Sequence, residues 1–98
     1  MKATRTAPMA QVYQSASIKL GNEIITVIYV SYSAIATDEM AARSLAAMKP
    51  LFKNSTLVLA AQGINLAPEF VGPKHVVDIL RGRALTEFKW YPITIGQP

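Results

Sequence analysis

Cysteine is absent from the chain, and histidine occurs once, at His75. The first absence removes disulfides, thiolate nucleophiles and cysteine-held metals together, and leaves the redox compartment unmarked. The second restricts imidazole chemistry to a single ring. Charge is scarce as well: 16% of the 98 residues are charged, against 51% hydrophobic. That balance is too apolar for disorder and rich for a small monomer, so some apolar surface is expected to need cover. Long hydrophobic runs are also missing. The longest, around Ile24–Val30, falls far below the ~20 residues of a membrane helix. The opening MKATRTAPMAQ has no apolar segment of the kind that directs export. The expectation is a soluble, cytoplasmic protein with a flexible arm over 1–10 and a single α+β domain over 11–98.

What is present centres on Thr56–Gly72, TLVLAAQGINLAPEFVG. Leu57 to Ala61 form an apolar run bounded by Asn54-Ser55 and Gln62-Gly63, which fits a strand covered on both faces. Gly63 is suited to a reversal needing positive φ, and Ile64-Asn65-Leu66 resumes an alternating pattern, so a hairpin is predicted with its second strand over 64–67. Pro68 confines that strand to an end or a bulge.

Upstream, Val12, Ala16, Ile18 and Leu20 are apolar at even positions, with Gln14 the exception and Tyr13 on the polar side, which reads as a half-buried strand, and Gly21-Asn22 is a two-residue hairpin signal. Glu23–Tyr32 is apolar on both faces, as in a central strand. Thr37 is a suitable N-cap, with Asp38 and Glu39 in the first turn of a helix whose stripe is Ala41, Leu45 and Met48. Pro50 should end that helix near Lys49. Gly72-Pro73 opens a second helix, with Val76, Val77, Ile79 and Leu80 as its buried side and Gly82 as its stop. The last strand is Glu87–Ile95, where Pro92 marks an edge or a bulge.

After the first strand, the order βαββαβ is that of a ferredoxin-like split βαβ sandwich: an antiparallel sheet with both helices on one face, plus an extra N-terminal strand. The N-terminal strand then either extends beyond the sheet or displaces the last strand outward. The open face of such a sheet would be oily, and it is covered either by this chain's own N-terminal hairpin strand curling over or by a partner's sheet in a symmetric dimer, the favoured cover, with Tyr29, Trp90, Tyr91 and Ile93 as its candidate face.

Candidate chemistry is sparse. His75 has Asp78 one turn later, a pairing that suits solvated surface better than catalysis. Ser31, Ser33 and Thr37 lack a general base at recognisable spacing. A small acylphosphatase-like hydrolase is the weakest reading, because Ser33-Ala34-Ile35-Ala36 offers no cation to cradle phosphate. Gln62 and Asn65 could meet a ligand at the hairpin. Lys53, Lys74, Arg81, Arg83 and Lys89 beside it are the candidate RNA contacts of a chain with formal net charge +4. No cofactor or metal is expected. The leading expectation is a non-enzymatic binding or regulatory module that self-associates through its sheet; the alternative is an RNA-binding accessory domain, with tRNA the expected RNA.

At Leu59–Asn65, LAAQGIN, the sequence resembles the N-terminal domain of the bacterial rhodanese-like tRNA uridine hydroxylase family, which carries an L-A-x-E-G-I-N-G segment. Ile28-Tyr29-Val30-Ser31-Tyr32 looks like that family's aromatic first strand. Gln62 stands where the family has Glu, and Leu66 where it has Gly or Ala. The resemblance implies a ferredoxin-like (acylphosphatase-like) fold and an RNA-facing role. It implies no hydroxylase activity, since the family's catalytic cysteine belongs to a separate domain.

Overall fold

β2 (Glu23–Tyr29) is apolar on both faces, and the fold places a helix against each of them. The structure, a computed structural model, describes residues 11 to 95; the arm expected over 1–10 lies outside them. β1 (Gln11–Leu20) turns back into β2 through Gly21-Asn22, with Leu20 facing Glu23. Gly21 has φ +62°, as a two-residue hairpin turn with glycine first requires. β2 leads into α1 (Asp38–Met48), a 3-10 turn over Lys49–Phe52, and β3 (Thr56–Gln62). Then come β4 (Pro68–Val71), α2 (Lys74–Leu80), a 3-10 turn over Leu85–Glu87, and β5 (Tyr91–Ile95).

The strands form one mixed sheet in the order β4-β3-β2-β1-β5. β2 and β3 are parallel neighbours, with Val27 beside Val58; the other pairs are antiparallel. Alternation along the strands divides the core in two. On one side Ala16, Ile25, Val27, Val58 and Ala60 pack with Val76 and Leu80 of α2 and with Phe88. On the other, Ile28, Val30, Leu57, Leu59 and Ala61 pack with Ala41 of α1, and Leu45 and Met48 lie against them. Leu57 to Ala61 are all buried, as expected of a strand covered on both faces.

An α+β fold with five strands and two helices is therefore present, but the split βαβ arrangement is not. The sheet is mixed rather than antiparallel, and the helices lie on opposite faces rather than one. The physical reason is the tight β1–β2 hairpin, which fills one side of β2 and leaves the other to β3, the strand returning from α1. β5 is thereby displaced to the outer position beside β1, the second of the two placements open to the extra strand. With β2 and β3 oily on both faces, burial is greatest when each face receives a helix.

Local boundaries moved for identifiable reasons. The strand predicted over 64–67 begins at Pro68 instead, because residues 63–67 form the turn: Leu66 N–H donates to Gly63 O at 3.0 Å and Gly63 N–H to Ala67 O at 2.8 Å. The positive φ falls on Leu66, at 64°, rather than on Gly63. Gly63 is needed for space, since a Cβ there would meet the Glu69 carboxylate and sit 3.0 Å from Ala67 O. Pro73 caps α2 rather than opening it, and the last strand starts only at Tyr91. Pro68 and Pro92 both lie on edge strands, where a missing N–H costs least.

Candidate functional site

The carboxyl ends of the parallel strands β2 and β3 are Tyr29 and Gln62. From Tyr29 the chain leaves toward α1 on one face; from Gln62 it enters the turn that leads to β4 and α2 on the other. Near these two ends, on the α2 side of the sheet, lies a crevice. Here it has a volume of about 350 Å³ and is lined by Gln14, Tyr29, Gln62, Leu85, Thr86 and Trp90. Register places Gln14 of β1 directly beside Tyr29, and Tyr29 beside Ala60, so Gln14, Tyr29 and Gln62 share the α2 side of the sheet.

The floor of the crevice is aromatic. Trp90 meets Tyr29 edge-on at 6.0 Å and 69°, and Phe88 at 5.5 Å; Phe70 lies 5.9 Å beyond Phe88. The indole Nε1–H donates to Leu85 O at 2.8 Å, which fixes the ring against the 3-10 turn. Gln14 and Gln62 are exposed, and neither side-chain amide has a hydrogen-bond partner within the described chain. No charged side chain lines the crevice.

The candidate dimer face is divided by the sheet. Tyr29 and Trp90 belong to the crevice on the α2 side, whereas Tyr91 and Ile93 stand on the α1 side, opposite Ser15 and Tyr13 of β1. On that side α1 packs with β2 and β3, and Tyr13 and Ile93 are partly buried against the same cluster. Tyr91 is 51% exposed and Ile24 47%, with Lys89 Nζ 5.9 Å from the Tyr91 ring.

The candidate RNA contacts do not form one patch. Lys53 precedes β3 and Gln62 ends it, a separation of about 20 Å by strand rise. Lys74 sits at the start of α2 and is bound to Asp78 at 2.7 Å, with Arg81 3.6 Å from the same carboxylate. Asn65 lies on the turn beyond Gln62, and Arg83 follows α2. Lys53 also borders a groove of about 780 Å³ between the carboxyl end of α1 and Gly72-Pro73, lined largely by Leu45, Pro50, Phe52 and Leu57.

His75 does not meet Asp78. Its Nε2 lies 3.0 Å from Glu23 Oε1, and Thr56 Oγ1–H donates to Glu23 Oε2 at 2.6 Å. The Thr56 hydrogen bond, and after it that of His75, hold the Glu23 carboxyl below its ordinary value of 4.5. The carboxylate stands between the hydroxyl and the imidazole, so the ring has no path to the Thr56 proton. This is a latch tying α2 to the sheet rather than a nucleophile–base pair. Sequence spacing gave no signal for it, because the partners are 52 positions apart. Between β2 and α1, Ser31 and Ser33 share a hydrogen bond at 3.1 Å in a loop without a cation. Among the described residues no group of three or more His, Asp or Glu side chains could hold a metal, and no helix is long and apolar enough to cross a membrane.

Comparison with family models, with curated proteins and with solved structures finds no match to this chain. The LAAQGIN segment forms the end of β3 and its turn, within a sheet of different strand order from the one its resemblance implies.

Proposed function

We propose that this chain is a non-enzymatic binding module that self-associates through the β1–β5 half of the α1-side face. The observation that carries the reading is the half-exposed Tyr91 ring on the α1-side face of β5, two residues before the partly buried Ile93. Association runs face to face: Pro92, the second residue of β5, withholds an N–H, so edge-to-edge pairing of β5 strands is disfavoured. Light scattering on a sizing column tests this. A dimer at high micromolar concentration that becomes monomeric in Tyr91→Glu supports it, and a strict monomer in the parent protein overturns it.

RNA binding, tRNA included, is the second reading. It is favoured by the net charge of +4 and by Lys53, Arg83 and Lys89, none of which is paired with a carboxylate in the described chain. Affinity for tRNA that falls steeply with salt and is lost in Arg83→Glu supports this reading; no binding at about 50 mM salt removes it.

A further inference from the structure

The geometry points to the crevice between Gln14, Tyr29, Gln62 and Trp90 as a binding site for an uncharged planar heteroaromatic ring of the nucleobase class. The ring is seated against Trp90 and read by the two glutamine amides. Its recognition is independent of the self-association face, which lies on the other side of the sheet.

Four observations lead to this ligand class. Trp90 is held in place before any ligand arrives, by its hydrogen bond to Leu85 O and by the flanking rings of Phe88 and Tyr29, so it provides a rigid stacking surface. Stacking on such a ring is worth about 1–3 kcal/mol per base and accepts any base. Gln14 and Gln62 each carry an unused donor and acceptor, the combination that pairs with the edge of a base. They stand on strands two spacings apart, about 10 Å, with Tyr29 between them. Its phenol also has no hydrogen-bond partner among the described residues.

The absence of charged side chains from the lining of the crevice selects the ligand further. A phosphate or carboxylate would meet no cation there, and an ammonium no anion, so the recognised part is neutral. The volume, about 350 Å³, is at the small end of ligand pockets and suits one ring system rather than an extended cofactor. The base has two sources, a free nucleoside or an unpaired nucleotide in a single strand, and the chemistry recognised is the same.

Trp90 is the sole tryptophan of the chain, so emission excited at its red edge reports on the crevice directly. The titrants are adenosine, guanosine, cytidine and uridine, then short single-stranded homo-oligonucleotides, followed in parallel by the side-chain amide and indole N–H resonances. A saturable response to at least one nucleoside is expected, with Kd below about 1 mM. It should weaken about tenfold in Gln62→Ala and in Gln14→Ala, both at exposed positions where folding is preserved. A response confined to oligonucleotides, but equally weakened in those variants, assigns the base to a strand. Absence of any saturable response overturns the proposal. So does binding indifferent to both substitutions, or oligonucleotide binding lost with salt alike in every variant, which marks phosphate contacts alone.

Discussion

His75 on α2 reaches Glu23, the first residue of β2, with Nε2 3.0 Å from one carboxylate oxygen and 3.2 Å from the other. Thr56, the first residue of β3, donates to the same carboxylate at 2.6 Å. One side chain thus joins the amino ends of both parallel strands to the first turn of the helix covering them, and it makes the fold sensitive to acid.

The folded Glu23 carboxyl is held below 4.5, so the unfolded chain takes up this proton first as pH falls. Its contribution to stability is therefore present above about pH 4.5 and lost as pH drops through the lowered folded value. Asp78, held below 3.8 by Lys74, adds a loss of the same sign as pH drops below that value. Glu23→Gln should lower the denaturation midpoint at pH 7 and flatten its fall as pH drops below about 4.5, with Asp78→Asn as the control for the remainder. Parallel midpoint curves for parent and Glu23→Gln would show that the latch contributes nothing.

The β3–β4 turn predicts opposite effects from two substitutions three positions apart. Leu66 carries φ 64°, a conformation that costs a non-glycine residue about 1–2 kcal/mol. Leu66→Gly relieves this and loses part of the gain to chain entropy, leaving a net stabilisation of about 0.5–1 kcal/mol. Gly63→Ala puts a Cβ 3.0 Å from Ala67 O and into the Glu69 carboxylate, and should destabilise by about 1 kcal/mol. Urea midpoints compared at constant m decide both signs.

Phe88 is 8% exposed and lies between Phe70 and Trp90. Phe88→Ala should cost about 3–5 kcal/mol, since both its transfer energy and a cavity are involved. Tyr91→Ala, three residues on but 51% exposed, should change monomer stability by no more than about 0.5 kcal/mol. Chemical denaturation of the two variants under dilute conditions measures the contrast.

Thr37 caps α1 by accepting the Met40 N–H at 3.1 Å. Thr37→Ala should remove about 1 kcal/mol and Thr37→Asp should restore it, because aspartate caps as well and adds favourable charge at the helix start. Thermal midpoints of the pair test the cap against a simple loss of side-chain bulk.

Much of the local structure was legible. Alternation identified β1, apolar runs identified β2 and β3, and Thr37 with Pro50 bracketed α1. Pro92 correctly marked an edge strand. The β4 boundary was misplaced because the apolar alternation of Ile64 and Leu66, 79% and 72% exposed, belongs to the turn rather than to a strand. The crevice was legible only in part: Gln62, Tyr29 and Trp90 stood out individually, while Gln14 and Leu85 carried no signal that would join them.

The sequence by itself determined that β1, β2 and β3 extend, where α1 starts and stops, and that β2 and β3 are oily on both sides, because these follow from periodicity and from caps acting over a few residues. Only the tertiary structure decided that the helices divide between the two faces, that β5 lies outside β1, and that Glu23 meets His75. The same list of elements is compatible with more than one strand order. The order is chosen when a short hairpin competes with a helical crossover for the two edges of one strand, a contest between distant segments that no local window contains.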